Sequence, residues 1–402
     1  MGSISKKIYE KYQGLDFDEI FEELEVVKTD LGDFLKITNP FGTLGKEKLI
    51  KKEDLILIQE LLTFKIDLIP GVGVKSTGTF RGKSINNIND LIGIHPRKYC
   101  EAADIINAIS EKDISNLKSL SKLKEEELIF CASPDEILFM DIETTGLNAG
   151  TAEIFLIGIG FIKDSRFFTE ILLARDKSEE AAVLKYFLDL LPKFRFYVSY
   201  KGKQFDIPFI RNRIGYLYEP EDLKNTYDYY ANINLLTENE RENYKWPLSM
   251  VDYINSNFVH FDLFYAVRRN YGNMLDNFRL VTVEEKILDF QRSDDLPSSE
   301  IPEIYLKWVE NRSSLMGGMF KIIEHNFYDV VNMELLLKEW IQAYTGELLS
   351  EIIGEKDTSE IKDIIRTFDN KRSPGMVKVL RSLTKKNSVI PKRIDMFFDD
   401  KG

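Results

Sequence analysis

The chain has 402 residues, 44% hydrophobic and 30% charged, a composition typical of a soluble protein with two or three cored domains. Its two cysteines exclude a disulfide framework and a zinc-ligand spacing, and its three histidines argue against a multi-histidine metal site. We find no apolar stretch near membrane-spanning length and no charged-then-apolar leader. Because so long a chain has only two cysteines, we expect a reducing, cytoplasmic location.

Basic residues are concentrated in two segments of an otherwise acidic chain, whose net charge is −12. Residues 64–100 contain six basic and two acidic residues, and residues 371–393 contain eight basic residues and no acidic one. A negative total argues against nucleic acid as a partner, but the distribution of charge matters more than its sum. Each segment taken alone is also typical of a solvated helix face.

The chain before residue 133 is mostly helical in pattern. Residues 34–37 predict a short strand and residues 46–62 an amphipathic helix, both within a segment to which we assign no role. Residues 64–132 predict helices with a glycine-rich break, followed by a linker helix that ends at Ser133-Pro134.

From residue 136 onward, strands alternate with helices. Apolar runs predict strands over 137–141, 154–162, 166–173, 196–200 and 259–263, and helices over 178–191, 206–216 and 326–344. Three hairpin-like strands followed by helix, strand and helix predict an α/β fold with an antiparallel edge. Residues 216–257 have no clear period and predict a small helical insertion or a lid, and a helical tail follows residue 346.

The strand over 137–141 leads into two carboxylates one residue apart, Asp141 and Glu143. Alternate residues of a strand project from the same face, so these side chains lie next to each other. Like charges held together are unfavourable unless a cation lies between them, and hard cations such as Mg²⁺ prefer carboxylate oxygens. Considered alone, the pair is explained equally well by a strand that merely ends in polar residues.

Two more acidic motifs follow. Asp206 lies after a strand and a turn at Gly202, where an aspartate is also explained by the macrodipole of the helix it begins. Asp329 lies one helical turn after His325, on an apolar helix face where a lone charge is costly. For His325 itself, an ordinary position on a helix face is the alternative to a catalytic role.

Taken in order, the three motifs resemble the DEDD superfamily of 3′–5′ exonucleases, which have the ribonuclease H-like fold. The resemblance covers residues 134–345. It rests on Asp-x-Glu-Thr-Thr-Gly-Leu at 141–147, Gly-Lys-Gln-Phe-Asp-x-Pro-Phe-Ile at 202–210 and His-Asn-x-x-Asp at 325–329. The third motif and Asp295-Leu-Pro resemble the YprB-like branch in particular. Lys201 stands where the family commonly has asparagine.

The resemblance implies a two-metal site. Its ligands would be the carboxylates of the three motifs, Asp141, Glu143, Asp206 and Asp329. Two Mg²⁺ or Mn²⁺ ions would clamp the attacking and leaving oxygens of an in-line phosphoryl displacement. His325 is the candidate base for the attacking water, and Asp262 is either an outer-shell carboxylate or a structural one.

Residues 68–75 resemble the hairpin of a helix-hairpin-helix motif. Its glycines would let backbone amides approach a phosphate, and such contacts position a duplex without reading its sequence. A glycine-capped core element is the alternative for this hairpin, and a docking helix is the alternative for the basic tail. The residues predicted to contact nucleic acid are Gly71, Gly73, Lys75, Lys83, Thr144, Lys201, Lys203, Lys378, Arg381 and Lys385.

The sequence therefore predicts an α/β protein with a ribonuclease H-like mixed sheet flanked by helices, a mostly helical helix-hairpin-helix-like N-terminal module and a C-terminal helical tail. Its predicted domains are 1–63 of unknown role, 64–132 for nucleic-acid binding and a linker helix, 133–345 for the exonuclease, and 346–402 as the basic tail. The predicted function is metal-dependent 3′–5′ exonuclease action on nucleic acid, DNA favoured, with no membrane partner. An RNA 3′ exonuclease, a structure-specific endonuclease and a non-catalytic nucleic-acid-binding protein on a nuclease scaffold are the alternatives.

Overall fold

The computed structural model describes residues 6–83, 85–94, 101–218 and 259–353. The chain divides into two compact units: Met1–Leu49 with Asp135–Leu336, here called the sheet unit, and Ile50–Pro134 with Leu337–Gly402, here called the helical unit. Most of the predicted insertion over 216–257 and most of the predicted tail over 346–402 lie outside the described residues. None of the described helices combines the length and apolar character that a membrane span requires.

The sheet unit is built on a mixed sheet with seven strands among the described residues. They are β1 Leu24–Thr29, β2 Gly32–Thr38, β3 Ile137–Thr144, β4 Ile154–Lys163, β5 Arg166–Leu173, β6 Phe196–Ser199 and β7 Val259–Asp262. Their order is β1-β2-β5-β4-β3-β6-β7. Neighbours from β1 to β3 are antiparallel, whereas β6 runs parallel to β3 and β7 parallel to β6. The predicted α/β fold with a mixed sheet and an antiparallel edge is confirmed.

Helices precede, separate and follow the strands. In chain order they are α1 Lys6–Tyr12, α2 Phe17–Ile20, α3 Lys52–Leu62, α4 Val74–Arg81, α5 Ile88–Ile94, α6 Glu101–Glu111, α7 Ile114–Leu120, α8 Glu180–Leu190, α9 Asp206–Leu217, α10 Leu263–Tyr271, α11 Leu280–Val283, α12 Ile301–Glu310 and α13 Arg312–Ile353. A π-helical turn, Glu284–Leu288, follows α11 directly. The helix predicted over 46–62 begins only at Lys52, because Asp54 accepts the backbone amide hydrogen of Lys51 at 3.0 Å and caps the helix there.

The residues before 50, to which the sequence analysis assigns no role, complete the sheet unit. Strand β2 pairs with β5 and so extends the antiparallel edge of the sheet. In the segment before β1, the ring of Tyr12 stacks on Phe320 of α13 with centroids 4.3 Å apart, and Phe17 meets Trp308 of α12 edge-on at 5.6 Å. These aromatic contacts bury apolar surface and stabilise the two C-terminal helices of the unit.

A buried ion pair joins α8 to α9. Arg213 Nε donates to Glu180 Oε1 at 2.7 Å, and the two side chains are 5% and 1% exposed. The pair also reaches the start of β4, because Glu180 accepts the amide hydrogen of Ile154 at 2.8 Å. Removing one partner of such a pair leaves a buried charge uncompensated, which costs about 3–5 kcal/mol of stability.

Two glycines of β4 form a notch in the sheet, and α13 lies in it. Gly158 is the strand partner of Asp141 on β3. A Cβ atom at Gly158 would lie 1.8 Å from Asn326 Oδ1, and one at Gly160 would lie 2.6 Å from Val330 Cγ1. Only glycine allows the helix to approach the sheet this closely. The notch brings α13 directly against the strand that neighbours β3.

Candidate active site

Asp141 and Glu143 both lie within β3, which extends to Thr144 and not only to the predicted residue 141. Both side chains are half-buried, whereas Ile142 between them is buried on the opposite face. The Asn326 side chain of α13 donates from Nδ2 to Asp141 Oδ2 at 2.8 Å. The register of β3 against β4 shifts between Glu143 and Thr144, so the strand is irregular where the acidic motif ends.

The second motif lies in the turn that connects β6 to α9. Asp206 is the first residue of α9 and is buried, and it accepts a hydrogen bond from the backbone of Ile142 on β3. A Cβ atom at Gly202 would lie 2.2 Å from Ser199 Oγ and 3.1 Å from Asp206 Oδ2. Glycine at this turn therefore leaves the space that the Asp206 carboxylate needs beside β3.

Asp262 holds the same turn from the end of β7. Its carboxylate accepts the backbone amide hydrogens of Lys201 at 2.8 Å and Lys203 at 3.1 Å, and it caps α10 through Phe264 at 3.1 Å. Lys201 has a φ of 65°, a left-handed conformation that a lysine rarely adopts. Asp262 fixes this strained turn, and its negative charge raises the pKa of Asp206. Its position therefore suits an outer-shell or a structural carboxylate.

The third motif lies on α13, where His325 and Asp329 are one turn apart. The ligand atoms of Glu143, His325 and Asp329 all lie within 4.8 Å of one another. The helix in the notch of β4 and the strand β3 thus bring together side chains that lie far apart in the sequence. His325 is buried, and Asp329 is partly exposed.

Burial and mutual repulsion make these carboxylates hard to ionise together. Burial, followed by the charges of Asp329, Asp206 and Glu143, raises the pKa of Asp141 well above its usual value. Burial also raises the pKa of Glu143 to about 8 and that of Asp206 to about 7, and nearby carboxylates add to both shifts. A set of oxygen donors that repel one another in this way fits one or more hard divalent cations.

His325 is held by a carboxylate on each side of its ring. Its Nδ1 lies 2.9 Å from Asp295 Oδ1, and its Nε2 lies 3.4 Å from Asp329 Oδ2. Burial alone would lower the pKa of His325, but Asp329, Asp295 and Glu143 outweigh it and raise the pKa to about 9. The Asp295 contact fixes the orientation of the ring and directs Nε2 toward the carboxylate cluster.

Three of the residues predicted to contact nucleic acid lie at the acidic motifs: Lys201 and Lys203 at the second motif and Thr144 in the first. The ammonium of Lys201 lies 5.2 Å from the ring centroid of Phe264, and Lys203 is half-buried. Thr144 is only 7% exposed, and its hydroxyl donates to the carbonyl of Gly146 at 2.7 Å, so its side chain is engaged within its own loop.

The other predicted contacts lie on the helical unit or in the tail. Gly71 is exposed with a φ of 80°, and Gly73 is the residue that precedes the first turn of α4. Lys75 and Lys83 are exposed, as phosphate contacts require. The three predicted tail residues, Lys378, Arg381 and Lys385, lie outside the described residues.

Four residues of the site were missed as contributors by the sequence analysis: Gly158, Arg292, Asp295 and Asn326. Arg292 lies in a loop without period, so no local pattern indicated it. The paired glycines of β4 did carry a signal, because glycine inside a strand often indicates the close approach of another element. Asp295 and Asn326 belong to the segments that resemble the YprB-like branch, but nothing in the sequence indicated their partners.

Comparison with known proteins adds two findings. A sequence model of the RNase_H superfamily matches residues 138–341, a span that contains all three acidic motifs. The chain is also similar to Uncharacterized protein YprB of Bacillus subtilis strain 168, with 26% identity over 333 residues, which cover 76% of this chain and 71% of that protein.

Proposed function

The chain belongs to the RNase H superfamily, and we propose from this premise that it is a metal-dependent 3′–5′ exonuclease that acts on nucleic acid, with DNA favoured. Superfamily membership by itself indicates a nuclease-type activity. The observation that carries the finer proposal is the convergence of the first and third acidic motifs, with ligand atoms of Glu143, His325 and Asp329 within 4.8 Å of one another. Asp206 of the second motif bonds to the backbone of Ile142, between Asp141 and Glu143. A retired scaffold without catalysis would have no need to keep this repulsive cluster.

The residues proposed to hold divalent cations are Asp141, Glu143, Asp206 and Asp329. Their oxygens suit Mg²⁺ or Mn²⁺, and the raised pKa values of three of them mean that protons compete with a cation for the same oxygens. Bound in a pair, such ions would activate water and stabilise the departing 3′-oxygen of the cleaved phosphodiester.

His325 is the proposed general base. Because Nδ1 faces Asp295, Nε2 is the nitrogen available to accept a proton from the attacking water. With its pKa near 9 the ring is protonated at neutral pH, and it becomes a base only when the pull of Asp329 and Glu143 is neutralised. The arrangement therefore ties proton acceptance at His325 to the charge state of the carboxylates beside it.

One exposed feature of each unit supports a nucleic-acid substrate. Leu147, the last residue of the first motif, is 88% exposed and presents an apolar side chain four residues along the chain from Glu143. The exposed hairpin of the helical unit supports duplex contact through Gly71, Gly73 and the flanking lysines. The preference for DNA rests on the resemblance of this hairpin to helix-hairpin-helix motifs.

Digestion of end-labelled substrates tests the proposal. Single-stranded DNA, duplex DNA with a 3′ overhang and matched RNA, each labelled at the 5′ end, are incubated with Mg²⁺, Mn²⁺ or EDTA. We expect a metal-dependent ladder that shortens from the 3′ end and is lost in the Asp141→Asn and Asp206→Asn variants. Asp164→Asn, the same chemical change on an exposed turn between β4 and β5, is the matched control and should keep full activity.

Full activity in Asp141→Asn or Asp206→Asn would refute the assignment of the site. Internal fragments without a ladder would favour the structure-specific endonuclease, and cleavage of RNA alone would favour the RNA exonuclease. Binding of all substrates without cleavage would favour the non-catalytic alternative.

A further inference from the structure

An arginine, Arg292, lies among the acids of the candidate site. The Arg292 side chain is 2% exposed. Its Nε donates to Glu284 Oε2 at 2.8 Å, and its Nη2 donates both to Glu284 and to Asp329 Oδ1. Its Nη1 donates to the backbone carbonyl of His325 at 3.3 Å and lies 3.7 Å from Asp295. These contacts direct the guanidinium at protein groups, so Arg292 is not placed to bind substrate.

The surroundings of Arg292 fix it firmly. Glu284, its main partner, is fully buried in the π-helical turn Glu284–Leu288. The ring of Tyr328 lies 5.8 Å from the guanidinium and packs against Phe290 at 5.3 Å. A planar guanidinium that forms a fork with one carboxylate and lies near an aromatic ring has little freedom left.

We propose that Arg292 is a positioning residue for Asp329 and sets the orientation in which this carboxylate offers an oxygen to a divalent cation. Arg292 engages Oδ1 of Asp329, while Oδ2 faces His325 Nε2 across 3.4 Å. By holding one oxygen, the arginine leaves the other directed into the cluster with Glu143 and His325. The inference rests on the metal-dependent function proposed above and adds a determinant of metal affinity.

A purely structural role is the competing explanation, since buried Arg–Glu pairs also occur far from active sites. The sheet unit contains such a pair, Arg213–Glu180, with side chains 5% and 1% exposed. Neither of its members contacts an acidic residue of the three motifs in the hydrogen bonds described above. Arg213→Gln is therefore a matched control, because it breaks an equally buried pair and leaves Asp329 untouched.

The test measures Mn²⁺ binding by calorimetry on the full chain, together with the Mn²⁺ concentration needed for half-maximal activity. Removing a residue that orients a metal ligand typically weakens metal affinity by roughly 10–100-fold. We expect a loss of Mn²⁺ affinity of this size for Arg292→Gln. Arg292→Lys should not restore the affinity, because one ammonium cannot form the fork with Glu284 and also reach Asp329. Arg213→Gln should lower thermal stability but keep the Mn²⁺ affinity of the wild type.

If Arg292→Gln does not fold, the double variant Glu284→Gln/Arg292→Met takes its place. It removes both charges of the buried pair, so that neither is left uncompensated, and it is expected to fold. This variant should show the same loss of Mn²⁺ affinity. A folded Arg292 variant with wild-type Mn²⁺ affinity would overturn the inference and leave the proposed function standing. A wild-type chain that binds no Mn²⁺ would overturn the proposed function, and this inference with it.

Discussion

Asn326 on α13 donates its side-chain amide hydrogen to Oδ2 of Asp141 on β3, over 2.8 Å, although 185 positions separate the two residues in the chain. Asn326 is fully buried and is the neighbour of His325 in the third motif. The contact joins the helix that carries one half of the candidate site to the strand that carries the other. Such outer contacts orient metal ligands in known metal sites.

Replacing Asn326 by Ala should weaken Mn²⁺ affinity or activity by roughly 10–100-fold, because Asp141 loses its orienting donor. The check is a double-mutant cycle on Mn²⁺ affinity with Asp141→Asn. If Asn326 acts through Asp141, the two losses are not additive, since the second change removes an interaction already lost. Additive losses would mean that Asn326 acts elsewhere.

Replacing Gly158 by Ala should destabilise the sheet unit, because the new Cβ atom would lie 1.8 Å from Asn326 Oδ1. Overpacking of this kind costs about 1–3 kcal/mol, and the helix or the asparagine must move away from the strand. Urea unfolding measures the cost. Gly272→Ala is the control, because there the nearest contact is an ordinary 3.8 Å. Equal stability of the two variants would contradict the close packing of α13 against Gly158.

Replacing Lys201 by Gly should raise the free energy of unfolding by about 1 kcal/mol, because a left-handed φ of 65° is strained for any residue with a Cβ atom. Lys201→Ala removes the same charge but keeps the strain, and it separates the two effects. Chemical denaturation of both variants gives the comparison. A glycine variant that is no more stable than the alanine variant would show that the turn is unstrained.

The stability of the metal-free chain should fall as the pH rises from about 5 to 9. Glu143 and Asp206 have raised pKa values of about 8 and about 7, so the folded state keeps protons that the unfolded state has lost. His325, with its pKa raised to about 9, contributes stability that is complete below pH 6.5 and is lost as the pH rises through 9. Thermal unfolding in EDTA at pH 5.5 and 8.5 checks the sign, and Glu143→Gln should reduce the difference.

Mg²⁺ should stabilise the chain more at pH 8 than at pH 6. Protons and cations compete for the same oxygens, so the carboxylates with raised pKa values bind a cation better once the protons are lost. The measurement is the shift of the melting temperature on addition of Mg²⁺ at each pH. The shift should be smaller in Asp141→Asn, and an equal shift at both pH values would argue against binding at this cluster.

Replacing Lys75 and Lys83 by Glu should weaken duplex DNA binding and reduce the dependence of the affinity on salt concentration, because fewer phosphates are neutralised. Fluorescence anisotropy over a range of salt concentrations measures both. Lys118→Glu, an exposed lysine on α7 of the same unit, is the control for the change of charge. Equal losses in all three variants would point to bulk charge and not to the hairpin.

Local patterns predicted the strands β3 to β7 and the helices α8 and α9, because alternation and helical period are properties of neighbouring residues. They did not predict α10, α11 or α12, and they placed the start of α13 at residue 326, whereas the helix begins at Arg312. They also predicted which face of β3 carries Asp141 and Glu143. The partners of those residues were not predictable in this way. The pairing of β2 with β5 and the insertion of Arg292 beside Asp329 depend on contacts between distant segments, and loops such as the one before α12 carry no period to read.

The pairing of β2 with β5 has a consequence for synthesis. Asn39, at the end of β2, bonds to Thr169 of β5 across 130 positions, and the third motif emerges later still. Non-local strand pairing is slow, because closing the long loop between the partners costs entropy before their contacts form. On the ribosome, β1 and β2 would therefore be made as a pair of strands whose β2 edge has no strand partner until β5 has been synthesised. Because α13 carries His325 and Asp329, the candidate site would be complete only after this helix has left the exit tunnel.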